Sequence, residues 1–212
     1  MVALQLWPTP ARSWLICPRP RCVGSGNSGV TYLRTFHPRL GIPWQTAFGS
    51  QNPDDVLAIC ARRGTSACWI RRDVLQTRQT RPAVIRSPSN GDELFFNQVL
   101  AHHPRSLPGE VREVLTDLVG ADLLPKQVRF GNDEVVDDEV VDEIAAAYAG
   151  GGTRRVHWQQ DDVLVVDNMR MAHGREPFSG ERAVRAVLAG AMSWASLPVG
   201  EPAATAPPGG AR

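Results

Sequence analysis

The order of its local patterns limits this chain more than its composition does: short strand-like runs closed by turns, a helical insert at about 108–150, then more short runs. Val30, Tyr32 and Leu33 begin a strand after Gly29. Pro53-Asp54-Asp55 opens a short helix with Val56, Leu57 and Cys60 on one side, and Gly64 ends it. Cys68-Trp69-Ile70 reads as a strand. So do Pro82 to Arg86 and Glu93 to Phe96, joined through Ser87-Pro88-Ser89-Asn90-Gly91. Asn-Gly is a strong hairpin signal because the tight turn needs positive φ at both central residues.

Two helices make up the insert. Glu110 to Val119 carries Val111, Val114, Leu115 and Leu118 at helical spacing, and Gly120 stops it. Asp137 to Tyr148 is better marked. Asp137 caps it, Asp138 and Glu139 favour its positive end, and Val140, Val141, Ile144 and Tyr148 form one apolar face. The acidic residues at 133–143 read as a solvated helix face rather than a cation site. Three glycines at 150–152 end the helix, and Arg154 to Trp158, Val163 to Asp167 and Ala183 to Ala189 follow as strands. This order predicts a mainly β fold with added helices, a sandwich or jelly roll, over a parallel α/β sheet. Residues 1–28 read as an irregular segment, 29–196 as the domain, and 197–212, rich in Pro, Ala and Gly, as a disordered tail.

A chain of 212 residues fits one domain, and a formal net charge of +1 gives no global field for nucleic acid or an anionic membrane. No run nears the roughly 18 apolar residues of a membrane-spanning helix, and four prolines interrupt the first 22 residues, which argues against a signal peptide. Cys17, Cys22, Cys60 and Cys68 have no C-x-x-C spacing and read as free thiols in a reducing cytoplasm.

Chemistry concentrates between Asp162 and Arg182. The strand Val163 to Val166 leads into Asp167-Asn168, then His173, Gly174 and Arg175, and the next strand begins after Gly180-Glu181-Arg182. Adjacent antiparallel strands would bring His173 and Arg182 to one cavity. Neutral imidazole is a good iron(II) ligand, and a guanidinium grips a carboxylate through two parallel hydrogen bonds. 2-Oxoglutarate, which chelates iron at one end and carries a carboxylate at the other, would use that pair. A histidine near a turn that only makes hydrogen bonds is the other reading.

The run Trp158, Asp162 to Asn168, His173-Gly174-Arg175, Pro177-Phe178 and Gly180-Glu181-Arg182 resembles the C-terminal signature of the TauD/TfdA family of taurine dioxygenase-like enzymes. The similarity runs back through Gly29-Val30-Thr31-Tyr32-Leu33-Arg34, Trp44-Gln45, Arg81-Pro82-Ala83-Val84 and Phe95-Phe96-Asn97-Gln98, covering roughly 29–194. It is nearest the SyrP-like and asparagine oxygenase-like subgroup. The resemblance implies a double-stranded β-helix (jelly roll) and an iron(II)/2-oxoglutarate-dependent oxygenase. Such an enzyme uses O2 to hydroxylate or otherwise oxidise a small amino-acid-like or carrier-tethered substrate, releasing succinate and CO2. It implies His173 as the distal iron ligand and Arg182 as the partner of the 2-oxoglutarate carboxylate. Asp167 and Asn168 would fix the loop carrying His173. Asn97 would face substrate or support the pocket, or serve as a strand-end residue. Arg175 would bind a substrate carboxylate or form a solvent ion pair.

The family also carries an H-x-D or H-x-E motif that supplies the other histidine and the carboxylate. Two places after His37, His102, His103, His157 and His173 stand Arg39, Pro104, Arg105, Gln159 and Arg175, none acidic. His102 and His103 fall where the family commonly has a histidine unrelated to iron. The resemblance therefore implies a jelly roll incomplete at the N-terminus, beginning just after the proximal ligands. A non-catalytic carboxylate-binding module and a truncated remnant are the alternatives.

Overall fold

The computed structural model describes residues 2–6, 29–150, 154–175, 179–181 and 183–197. The elements are β1 (Val2–Leu6), β2 (Gly29–Phe36), α1 (Trp44–Phe48), α2 (Pro53–Arg62), β3 (Ser66–Arg71), β4 (Val74–Pro82), β5 (Ile85–Arg86), β6 (Glu93–Leu94), α3 (Val99–His102), α4 (Gly109–Val119), β7 (Lys126–Phe130), α5 (Asp138–Gly150), β8 (Arg154–Val156) and β9 (Met171–Arg175). Every strand pairing is antiparallel: a four-stranded sheet β3-β4-β2-β7, a three-stranded sheet β8-β1-β9, and the hairpin β5-β6.

Register organises the four-stranded sheet. Val30, Tyr32, Arg34 and Phe36 of β2 lie opposite Arg81, Gln79, Thr77 and Leu75 of β4, and β7 sets Phe130, Val128 and Lys126 opposite Val30, Tyr32 and Arg34. Directly paired residues project to the same side of a sheet, so these side chains form one face. Its two ends are covered. At one end α5 buries Val140, Val141 and Ile144 against Val30, Val128 and Phe130. At the other, α2 buries Val56 and Cys60 against Phe36, Leu75 and Trp44. Each such aliphatic side chain contributes roughly 1.5–3 kcal/mol on burial. Between the two packed ends the face stays polar. Asn52 starts α2 by accepting the Asp54 amide at 3.0 Å, with Pro53 at the first helical position where no N–H is needed.

The hairpin is present with shorter strands than expected, Ile85 opposite Leu94, and Gly91 holds a φ of 73° in the turn. Several expectations are corrected. The N-terminal segment is not wholly irregular, because β1 lies between β8 and β9. The insert at 108–150 is not purely helical, because β7 pairs with β2 inside it. The expected apolar face of α4 is largely unburied, with Val111, Val114 and Leu118 at 45%, 65% and 68% exposure.

Val163–Asp167 and residues 183–189 are not strands. Val163, Val165, Val187 and Leu188 are 88–94% exposed. A β-strand needs a ladder partner for its backbone, and neither run pairs with a strand among the described residues. Among the described residues the sheets therefore do not close into the expected barrel. Of the expected tail at 197–212, Leu197 is instead buried with Ile85 and Leu94, and residues 198–212 lie outside the described residues.

Candidate functional site

The uncovered middle of the sheet face is the floor of a cleft of about 1160 Å³. Tyr32, Arg34, Thr77, Gln79, Arg81 and Lys126 form the floor, α3 contributes Leu100, Ala101 and His102, and Met171 to Gly174 of β9 and Trp194 form the opposite rim. This volume is somewhat larger than the roughly 300–1,000 Å³ of typical small-molecule sites, so it has room for a small molecule.

His173 lines this cleft, within β9 rather than just past a strand, opposite Leu4 of β1. The turn before it is built by Asp167. Its carboxylate accepts the Met169 amide at 3.0 Å, and its carbonyl accepts the amides of Arg170 at 3.1 Å and Met171 at 2.9 Å. Asn168 also lines the cleft. Arg170 pairs with Asp92 at 2.9 Å and so ties this turn to the β5–β6 hairpin. Asn97 is held from both sides: its amide N–H donates to the Ala83 carbonyl at 3.1 Å, and its amide oxygen accepts the Val99 N–H at 3.1 Å, just at the start of α3. Those bonds fit a supporting role for its side chain better than a free contact. Arg182 lies outside the described residues, and of Arg175 only the backbone, paired with Val2, is described. The meeting of His173 and Arg182 thus remains an expectation.

Sequence reasoning missed the floor. The Tyr32 hydroxyl accepts the Gln98 amide at 2.8 Å, and burial, opposed by that bond, pushes its pKa up to about 12. Tyr148 is pushed up to about 12 by burial and by its proximity to Tyr32. Arg81 is held below its ordinary range by burial; it donates to the Thr80 and Arg63 carbonyls, and its guanidinium lies 5.5 Å from the Trp194 ring centre. The His102 ring stands edge-on to Tyr32 at 4.9 Å. Burial first, then the charges of Lys126 and Arg34, lower its pKa, while the Gln98 carbonyl opposes them.

The described residues do not fit a three-ligand metal site. Among them no three His, Cys, Asp or Glu side chains converge. His37, His102 and His103 each commit a ring nitrogen to a backbone carbonyl, those of Leu123, Gln98 and Val136.

The profile of the family described as "Taurine catabolism dioxygenase TauD, TfdA family" matches residues 11–192, and the chain belongs to that family. It is also similar to the "Dapdiamide synthesis protein DdaC" of Enterobacter agglomerans, 39% identical over 160 residues that cover 76% of this chain and 48% of that protein. The chain thus spans about half the length of this relative. Among the described residues no helix is long and apolar enough to cross a membrane.

Proposed function

We propose that the cleft is the working site of an iron(II)/2-oxoglutarate-dependent oxygenase acting on a small amino-acid-like or carrier-tethered substrate, with release of succinate and CO2. The observation that carries this reading is His173, set on β9 behind the Asp167 turn and lining the cleft, in a chain of the TauD/TfdA family. In it His173 is an iron ligand, Arg182 grips the far carboxylate of 2-oxoglutarate, and Asp167, Asn168 and Asn97 hold the loop and wall in place. Arg175 is left for a substrate carboxylate. No described residue is assigned as a second or third metal ligand. The relative's role in dapdiamide synthesis favours natural-product biosynthesis as the setting. Cys60 and Cys68, both free thiols, agree with a reducing cytoplasm.

The test is succinate release from 2-oxoglutarate under air, with and without iron(II), by the chain and by His173→Ala. Iron-dependent release that disappears in the variant supports the reading. Release that persists in the variant, or none from the parent chain, counts against it. A second reading, a metal-independent carboxylate-binding module, is favoured by the lack of any H-x-D/E motif in the sequence. Calorimetry separates the two: 2-oxoglutarate binding that ignores iron(II) and is abolished by Arg182→Ala supports the second.

A further inference from the structure

The cleft is one-sided in charge. Arg34, Arg63, Arg81 and Lys126 line it, and no Asp or Glu stands among the described lining residues. The whole chain, by contrast, balances 23 Lys and Arg against 22 Asp and Glu.

The sharpest point of this asymmetry is a register pair. Arg34 of β2 and Lys126 of β7 are direct cross-strand partners on the face that opens into the cleft. Like charges directly opposite each other destabilise a sheet. Some arginines outside the cleft meet carboxylates: Arg78 with Asp133 at 2.9 Å, Arg105 with Asp142 at 3.1 Å, Arg170 with Asp92 at 2.9 Å. Among the described residues Arg34 and Lys126 have no carboxylate partner, and the Arg34 guanidinium instead lies 4.8 Å over the Phe36 ring. Thr77, which pairs with Arg34 from the other side, is buried and donates its hydroxyl to the Arg34 carbonyl at 3.4 Å. His102 lines the cleft close enough to feel both charges, which favour its neutral form. Lys126 and Arg34 thus present two neighbouring cations to a space large enough for a ligand.

We propose that Arg34 and Lys126 form an oxyanion subsite on the cleft floor, which takes a carboxylate or phosphate group of a small-molecule ligand. A guanidinium offers a planar pair of donors and an ammonium a compact point charge, so together they suit an oxygen-rich anion. The subsite rests on the reading of this cleft as a ligand site, but not on turnover.

The experiment is calorimetric titration of the full chain with inorganic phosphate and, separately, with succinate. It compares the parent, the Arg34→Gln/Lys126→Gln double variant and a control, Arg71→Gln, at an exposed β3 residue outside the cleft lining, each with a thermal unfolding scan. At least one anion should bind the parent, weaken by roughly tenfold or more in the double variant, and bind Arg71→Gln as it binds the parent. Which anion binds identifies the source of the group. The scan guards against misfolding. Removing two facing like charges should leave the unliganded midpoint equal or higher, and the binding anion should raise the midpoint of the parent but not of the double variant. No binding of either anion to the parent overturns the proposal. So does binding weakened as much in Arg71→Gln, or a double variant that binds as the parent does. If that variant unfolds, Arg34→Lys decides: retained binding supports the proposal, and lost binding in a folded Arg34→Lys overturns it. Anion binding in this pattern without iron-dependent succinate release would leave the subsite standing and remove the oxygenase reading.

Discussion

His103 is the test of what fixes the cleft wall. It is buried at 8% exposure at the end of α3, and its ring is used on both sides. Nδ1 accepts the Arg105 amide at 3.1 Å, capping the 3-10 turn Pro104–Ser106, and Nε2 donates to the Val136 carbonyl at 2.9 Å, just before α5. This is the neutral tautomer with the proton on Nε2. Replacing His103 with Phe keeps most of the ring volume and strands both backbone groups. An unsatisfied buried group costs about 1–3 kcal/mol. The Val136 carbonyl, in a fully buried bond, should incur most of that, and the part-buried Arg105 amide less, giving about 2–4 kcal/mol in total. The loss should also carry a pH signature. Burial holds the His103 imidazole below its ordinary range, outweighing the hydrogen bond to the Val136 carbonyl and the pull of the Asp138 carboxylate at 3.8 Å. The stability tied to neutral His103 is therefore complete above about pH 6.5, the ordinary histidine value, and is lost as pH falls through the lowered folded one. Urea unfolding followed by tryptophan fluorescence at pH 8 and pH 5.5 measures both effects. His103→Phe should be the less stable protein at pH 8, and the gap should narrow at pH 5.5. His102, shifted in the same direction, is present in both proteins and cancels from the comparison. Equal stabilities at pH 8, or a gap independent of pH, would refute this account of the two bonds.

Two further outcomes follow from packing. Ile144→Ala empties a 3%-exposed position between α5 and the sheet, and should cost about 2–5 kcal/mol in urea unfolding. Val114→Gln on the 65%-exposed face of α4 should change stability by no more than about 0.5 kcal/mol, and a larger loss would mean that this face is covered.

What the sequence made legible depended on whether a face was apolar. Val140, Val141 and Ile144 announce α5 because the whole stripe is buried. The β5–β6 turn is legible in Asn90-Gly91 because its chemistry is local. β4 left no such trace. Thr77, Gln79 and Arg81 point into the cleft, so the strand is polar where a half-buried strand would alternate, and Leu75 alone marks that face as core. Lys126-Gln-Val-Arg-Phe does alternate, with Val128 and Phe130 buried, but lies between two strong helices. The candidate site divided in the same way. His173 stood out through a contiguous family pattern. Arg34 and Lys126 did not, because a register between strands 92 positions apart brings them together. Val163 to Val166 shows the reverse failure: strong strand propensity, with no ladder partner among the described residues.

The Arg170–Asp92 ion pair gives the molecule a mechanical linkage. It joins two segments 78 residues apart, one leading directly to His173 and the other closing the β5–β6 hairpin. Asp167 stiffens its own side with three backbone bonds, so a displacement of β9 should reach the hairpin rather than dissipate in the turn. A ligand that draws His173 inward would pull on the Asn90-Gly91 turn, which makes that exposed turn the natural place for a reporter of cleft occupancy.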